Sequence, residues 1–203
     1  QVAESDSRIG ITGCKLVFPS GKVQSAGGYL DYRSFHHYTD GNRTAKVDYV
    51  VGEACLVKRE VINKIGLIDE EFSPGNFEEL DYRMRARAAG YWTVYTPRAV
   101  IVHNAGATFG KTSWSTPATY KNGIRFYMLN HPVSWIMSAN LFIILSVFFK
   151  RKDGRYRMGP RNIKLKEDWI LRIKSLINAY LVNILNSPKI LHKRHSRMER
   201  AWD

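Results

Sequence analysis

The segment from Ile65 to His103 constrains the fold of this 203-residue chain more than any other part of it. Near its start lies a Ser-Pro-Gly-Asn turn, whose residue types favour a reversal of the chain. A helix is predicted to begin at Phe77, where Asn76 can cap the first turn. Its buried stripe is predicted to consist of residues that recur every fourth position, namely Leu80, Met84 and Ala88.

Two apolar runs after this helix predict β structure. Residues 91–96 are aromatic and β-branched, and Pro97 is predicted to end that strand. Residues 99–102 form a second short run, with His103 at its end. The order of turn, helix and strand indicates an α/β segment. Three acidic side chains stand at the mouth of its helix: Glu78, Glu79 and Asp81.

These acidic residues have a structural interpretation as well as a catalytic one. Glu79 can close a capping box with Asn76, and it is spaced to pair with Arg83. Asp81 is spaced in the same way to pair with Arg85. Acidic residues in a first turn also suit the helix dipole. The chemistry of the residues alone leaves both interpretations open.

As an ordered set, these motifs resemble the family-2 glycosyltransferases of the GT-A fold, most closely the rhamnosyltransferase-like branch. The resemblance covers residues 1–130. The matching residues are Gly66-Leu67-Ile68-Asp69-Glu70, Glu78-Glu79-Leu80-Asp81-Tyr82, Arg85, Gly90-Tyr91 and His103. Further matches lie upstream at Gly13-Cys14-Lys15-Leu16, Gly52 and Ala54-Cys55-Leu56, and downstream at Lys121-Asn122.

The resemblance implies an enzyme of cell-wall or polysaccharide biosynthesis. It would transfer a sugar, with inversion, from a nucleotide-diphosphate donor to a hydroxyl of a glycan or lipid-linked glycan. Glu79 stands where the family has its base aspartate, although glutamate is one methylene longer. Glu78 and Asp81 are the neighbouring acidic residues, and Asp81 is either part of the site or an orienting group. His103 matches a histidine that completes the shell of a divalent cation, Mg²⁺ or Mn²⁺.

Residues expected to contact substrate follow from the same resemblance. They are Gly52, Ala54, Lys111, Lys121 and Asn122. Lys111 lies in a loop of small residues and hydroxyls, residues 104–113, that could hold a phosphate. The loop lacks the spaced glycines of a Walker sequence, so its composition alone is a weak signal. In the family, this loop follows the metal histidine and closes over the donor.

One element of the family is missing, because no Asp-x-Asp pair occurs in the sequence. That pair supplies the main ligands of the cation. We therefore expect an incomplete GT-A-like segment over residues 1–130, which is inactive alone and follows a nucleotide-binding half of about 90–130 residues. Residues 131–203 are expected to form a helical, basic tail. The alternative is a non-catalytic, membrane-attached module that binds a partner and derives from a truncated transferase.

The charge of the chain is concentrated in its tail. Residues 1–149 hold 16 basic and 13 acidic side chains, and residues 150–203 hold 15 and 5. Residues 133–149 are uncharged, and residues 166–186 place apolar side chains on one face of a predicted helix. These features predict contact between residues 133–203 and an anionic membrane, at the cytoplasmic face, either peripheral or anchored. The alternative is that the apolar face packs on the protein itself.

The remaining segments give simpler predictions. No zinc-finger or RNA-binding motif accompanies the basic tail, so nucleic acid is not an expected partner. Residues 47–57 predict one buried strand, and residues 192–200 a frayed end. The two cysteines, Cys14 and Cys55, lie in apolar contexts without metal-ligand spacing. We therefore expect two buried thiols in a reducing compartment.

Overall fold

A computed structural model describes the greater part of the chain. The described residues are 1–30, 35–37, 41–104, 115–148, 155–157, 162–164 and 169–199. They divide into two compact units. The first contains residues 1–30, 41–69 and 79–104, and the second contains residues 70–78 and the helices from Ser115 onward. The architecture is mixed α/β, with helices at the C-terminal end, as the sequence predicts.

A five-stranded sheet organises the first unit. Its strands are β1 (Ile9–Val17), β2 (Val23–Ser25), β5 (Ala45–Val47), β6 (Cys55–Val57) and β7 (Trp92–Val102). Strand β1 pairs with β7 in parallel and with β2 and β6 in antiparallel fashion, while β5 pairs with β7. Strands β3 (Gly28–Leu30) and β4 (Phe35–His37) form a separate two-stranded sheet.

The single strand predicted over residues 47–57 is wrong. Only its two ends are strands, β5 and β6, and they occupy different positions in the sheet. The apolar residues between them are nevertheless core residues, because Tyr49 and Val50 are almost completely buried. The apolar run therefore reflects burial of a connecting segment and not an extended ladder.

Pro97 does not end a strand as predicted, because β7 continues through it. Cys14 of β1 is paired with Thr96, yet the next residue, Lys15, is paired with Val100. The intervening residues of β7 therefore form a bulge. A proline can occupy a bulge because no ladder hydrogen bond is required of its missing N–H.

Helix α1 (Arg59–Ile65) and helix α2 (Glu78–Ala88) flank the sheet, and a short 3-10 helix (Glu70–Phe72) lies between them in sequence. Helix α2 begins one residue later than predicted. Asn76 is not its cap, because Asn76 and Phe77 both have positive φ angles of 73° and 72°. The predicted stripe is also wrong, since Met84 is only half-buried and Ala88 is exposed.

The apolar core of the first unit explains which face of α2 is buried. Tyr82 and Ala86 of α2 pack in one cluster with residues of the sheet, of α1 and of the connecting segment. These partners are Ile11, Ala26, Val47, Val50, Val61 and Tyr95. Asp81 and Arg83 are buried as well, which a stripe of purely apolar positions could not predict. Of the cysteines, Cys14 is buried and Cys55 is exposed, and both are free thiols.

The second unit is mainly helical. It contains α3 (Ser115–Asn130), α4 (Val133–Phe148), α5 (Trp169–Leu185), α6 (Ser187–Glu199) and a hairpin of β8 (Arg155–Arg157) with β9 (Asn162–Lys164). Its core joins α3, α4 and α5 through Tyr120, Ile124, Ile143, Leu176 and Ala179. Within the described part of the chain, none of the helices combines the length and the apolar content required to cross a bilayer.

One prediction for the tail is wrong, and one of its alternatives holds only in part. The end predicted to be frayed is helix α6, which is anchored because Ile190 is fully buried and Arg194 donates to the carbonyls of Met128 and His131. Helix α5 packs part of its predicted apolar stripe on the protein, because Leu176 is in the core with Ile173 and Tyr180 against it, whereas Ile177, Leu181, Ile184 and Leu185 remain exposed. Its buried face carries Arg172 and Ser175 as well as small and apolar residues.

Candidate functional site

Glu79 lies half-buried in the first turn of α2. Arg83 does not pair with its carboxylate but donates from Nη1 to its carbonyl oxygen, over 2.6 Å. The Glu79 side chain also lies against Gly52, where an added Cβ would be 3.4 Å from the Glu79 Cβ. Two residues that the resemblance assigns to one site, Gly52 and Glu79, are therefore neighbours in the first unit.

Asp81 is fully buried and forms the ion pair that its spacing predicts. Its Oδ2 lies 3.1 Å from Nε of Arg85. The same guanidinium donates to the carbonyls of Ile65 and Leu67, over 2.6 and 2.9 Å. Asp81 therefore holds an arginine that fastens α2 to the end of α1. This geometry fits an orienting group, because a carboxylate without solvent exposure is not open to a substrate.

Glu78 is the first residue of α2 and is half-buried. It falls in the second unit, whereas Glu79 and Asp81 fall in the first. The three acidic residues thus differ in environment although they are close in sequence. Among them, Glu79 best combines partial exposure with a fixed backbone.

His103 follows the last residue of β7 and is partly exposed. Its backbone N–H donates to the carbonyl of Val17, over 2.9 Å. Its Nδ1 lies 2.9 Å from Nε2 and 3.2 Å from Oε1 of the Gln24 amide, which is on β2. A hydrogen bond at one ring nitrogen fixes the orientation of an imidazole and leaves the other nitrogen for a ligand. Sequence reasoning missed Gln24, since nothing in its local pattern marks it.

The register of β1 relates His103 to the turn that contains Gly52 and Ala54. Cys14 donates its thiol to the Ala54 carbonyl at 3.6 Å, and His103 is bonded to Val17. Three residues of strand separate Cys14 from Val17, which is about 10 Å. His103 and the turn that contains Ala54 therefore both contact the C-terminal half of β1. Within the described ranges, no hydrogen bond or ion pair joins Glu79 to His103.

The described residues offer an incomplete set of metal ligands. They contain no cluster of three or more His, Cys, Asp or Glu side chains that could hold a metal ion. His103 is a single candidate ligand, and a divalent cation at a catalytic site is ordinarily held by several protein groups. The residues that the structure describes therefore do not by themselves fit a complete cation site.

Lys121 and Asn122, assigned to substrate by the resemblance, hold a turn in the second unit. Nδ2 of the fully buried Asn122 lies 2.5 Å from the Phe72 carbonyl oxygen, 2.7 Å from that of Gly75 and 3.1 Å from that of Asn76. Nζ of Lys121 donates to the Ser73 carbonyl, over 2.6 Å. These groups fasten the backbone immediately before α2. The buried amide of Asn122 is committed to that backbone and not presented to a substrate.

Other side chains of α3 reinforce the same contact. Arg125 pairs with Glu71, Thr119 accepts from the Asn76 amide at 3.3 Å, and the rings of Phe126 and Phe77 are 5.6 Å apart. The sequence contained a signal for this face, because Thr119, Asn122 and Arg125 recur at three-residue spacing on a helix. We call five residues of α3 the α3 clamp: Thr119, Lys121, Asn122, Arg125 and Phe126.

The α3 clamp also perturbs its lysine. Burial lowers the pKa of Lys121, and the nearby charge of Arg125 lowers it further, whereas Glu71 acts in the opposite direction. The fifth residue assigned to substrate, Lys111, lies outside the described residues, as does most of the loop around it. Its predicted contact with phosphate stays a prediction.

No protein-family model matches the chain. The chain is similar to the uncharacterized protein y4gI of Sinorhizobium fredii (strain NBRC 101917 / NGR234). The two are 33% identical over 115 residues, which cover 50% of this chain and 13% of that protein. The similar region is therefore a small part of a much longer relative, which is itself uncharacterized.

Proposed function

We propose that this chain is part of an inverting glycosyltransferase of the family-2 type, with Glu79 as the general base. The observation that carries the proposal is the contrast within the acidic helix start. Glu79 is partly exposed beside Gly52, with its carbonyl held by Arg83, whereas Asp81 is buried in an ion pair. A base needs this combination of access and fixed position.

On this proposal, Glu79 removes the proton of an acceptor hydroxyl while that oxygen attacks the anomeric carbon of the donor sugar. The new bond joins the acceptor oxygen to that carbon, and the bond from the carbon to the diphosphate breaks. The nucleoside diphosphate leaves with the electron pair, and the proton remains on the Glu79 carboxyl. Attack opposite the leaving group inverts the configuration of the carbon.

The surrounding residues position this base and do not react. Asp81 and Arg85 fix α2 against the carbonyls of Ile65 and Leu67. A divalent cation would stabilise the departing diphosphate. Of the described residues, His103 would contribute one ligand to that cation, with Gln24 orienting its ring.

The test uses the natural full-length protein and a panel of nucleotide-diphosphate sugars, with release of the nucleoside diphosphate as the measurement. Glu79→Gln keeps the size of the side chain but removes the proton acceptor, and we expect turnover to fall about 10²–10⁴-fold. Glu79→Asp retains a carboxylate and should retain more activity than the glutamine variant. Glu60→Gln makes the same chemical change at an exposed position of α1 and should leave turnover unchanged.

Wild-type turnover in Glu79→Gln, with the protein folded and donor bound, would exclude Glu79 as the base. Absence of any transfer in the wild-type full-length protein across the whole panel would instead favour the non-catalytic module. Binding of the donor, measured separately by calorimetry, distinguishes loss of the base from loss of the donor site.

A further inference from the structure

Helix α5 is packed with its polar and small side chains inward. Its buried positions are Arg172, Ser175, Leu176, Ala179 and Asn183. Asn183 donates from Nδ2 to the carbonyl of Lys121 on α3, over 3.0 Å, and to the carbonyl of Ala179, over 2.8 Å. Ser175 likewise donates to the Leu171 carbonyl at 2.7 Å. Ser175 and Asn183 on the inner face therefore have partners within the second unit.

The opposite face of α5 is apolar and exposed. It carries Ile177, Leu181, Ile184 and Leu185, all more than half exposed, with Leu185 at 79%. Their spacing places them on one side of the helix. We call these four residues the α5 stripe. An amphipathic helix of a globular protein normally buries its apolar face, but α5 buries only part of its apolar residues, including Leu176, and leaves the α5 stripe exposed. An exposed apolar stripe of this kind is typical of an interaction surface.

Helix α4 exposes a second apolar stripe in the same unit. It consists of Val133, Met137, Leu141 and Ile144, and Met137 is 69% exposed. Polar side chains of α4 are bonded to their own helix, since Ser138 donates to the Ser134 carbonyl and Asn140 to the Ile136 carbonyl. Tyr180 of α5 donates to Asn140 Oδ1 over 2.9 Å, which joins the two helices.

The charges of these helices favour an anionic partner. Helices α3 to α6 contain eight Lys and Arg residues and one acidic residue, Glu199. Four of the eight are buried or bonded within the unit, namely Lys121, Arg125, Arg172 and Arg194. Lys174 is exposed one turn from Ile177, and Lys189 is exposed on α6. Apolar stripes accompanied by cations match an anionic bilayer, in which acyl chains lie beneath negative headgroups. A second copy of this unit would instead bring like charges together.

We propose that helices α4 and α5 dock on the surface of an anionic lipid bilayer, with the two stripes in contact with the acyl region and Lys174 at the headgroups. The helices lie along the membrane plane, because their opposite faces are packed on the protein. This docking is independent of sugar transfer, so vesicle binding and turnover can fail separately.

The test measures binding of the whole protein to vesicles by cosedimentation. Vesicles of phosphatidylcholine with phosphatidylglycerol are compared with pure phosphatidylcholine, at low and high salt. The variant Leu181→Gln/Ile184→Gln removes two exposed side chains of the α5 stripe. The matched control, Val100→Gln/Val102→Gln, makes the same kind of change at exposed positions of β7. Circular dichroism and thermal unfolding verify that each variant is folded.

Docking predicts binding to the anionic vesicles that weakens at high salt, since the headgroup attraction is screened. The stripe variant should bind about tenfold more weakly or worse, because burial of two apolar side chains is lost. The β7 control should bind like the wild type. Undiminished binding by the stripe variant, or no binding by the wild type, would overturn the proposal. So would a dimer, measured by light scattering, that the stripe variant dissociates, because the face would then be a self-interface.

Discussion

At Gly13 the backbone of β1 passes so close to Val50 that no side chain can be accommodated. A Cβ at this position would lie 2.3 Å from Val50 Cβ, and Val50 is almost completely buried in the core of the first unit. Gly10 is similar, because its Cβ would lie 2.6 Å from Cγ2 of Val61. The glycines of β1 are therefore explained by packing, whatever their place in a motif.

The first prediction at this scale is that Gly13→Ala lowers the free energy of unfolding by about 1–3 kcal/mol, since overpacking forces neighbouring atoms to shift. Gly52→Ala is the control, because its Cβ would make an ordinary contact of 3.4 Å at an exposed position. Urea denaturation of both variants measures the difference. Equal stability of Gly13→Ala and the wild type would contradict the packing at Val50.

Single residues also mark where sequence reasoning succeeds and where it stops. The pair of Asp81 with Arg85 followed from spacing alone, because four residues on a helix bring side chains together. The predicted bond between Glu79 and Arg83 failed at the carboxylate, since the guanidinium reaches the carbonyl instead. Spacing specifies which residues meet but not which of their atoms. The contact of His103 with Gln24 depends on the pairing of distant strands and left no local signal.

At the scale of the elements, buried polar residues of α3 hold a loop in place. The α3 clamp fastens the backbone of residues 72–76 mainly through Asn122, whose amide lies within hydrogen-bonding distance of three carbonyl oxygens. Those carbonyls belong to the turn that leads into α2. The positive φ angles of Asn76 and Phe77 show that this turn has a conformation that non-glycine residues rarely adopt. External hydrogen bonds are therefore needed to maintain it.

The prediction for this element is that Asn122→Ala destabilises the protein by at least about 2 kcal/mol, because buried carbonyl groups lose their donor. Asn186→Ala serves as the control. Asn186 follows the last residue of α5, its amide donates to the Val182 carbonyl over 2.7 Å, and its side chain is less buried than that of Asn122. We expect its effect to stay within about 0.5 kcal/mol. The free energy of unfolding of both variants is measured by urea denaturation. Equal stability of the two variants would contradict this role of the clamp.

Element boundaries were predictable where local chemistry decides them, as at the start of α2, which lies one residue from its predicted position. They were not predictable where tertiary pairing decides them. Strand β7 continues through Pro97 because its partner β1 tolerates a bulge. The orientation of α5 also could not be derived, since a period of 3.6 residues identifies an apolar face without saying whether that face is covered.

For the whole molecule, the sequence predicted the mixed α/β composition and the helical C-terminal part. The grouping of α3 with residues 70–78 and with the later helices depends on contacts between segments that are distant in sequence. The uneven distribution of charge was visible from the start. Its relation to exposed apolar stripes emerged only with the orientation of α5 and α4.

The stability of the molecule in mild acid should depend on His131, which follows α3. Its buried ring is stacked on Trp135 with the centroids 4.9 Å apart, and the Phe126 ring meets it edge-on at 5.2 Å. Burial, assisted by the positive charge of Arg194, lowers the pKa of His131 from 6.5 to about 4. Below pH 6.5 the unfolded chain therefore binds a proton that the folded protein does not.

The stabilising effect of neutral His131 is complete above pH 6.5 and is lost as the pH falls through about 4. The loss approaches about 3 kcal/mol, since each pKa unit corresponds to about 1.4 kcal/mol. His131→Phe keeps an aromatic ring in the stack but cannot bind a proton. The unfolding free energy of His131→Phe should therefore vary less steeply with pH between 6.5 and about 4. His192→Gln, at an exposed position of α6, should behave like the wild type. Parallel pH profiles for the wild type and His131→Phe, measured by urea denaturation, would contradict the burial of a neutral imidazole here.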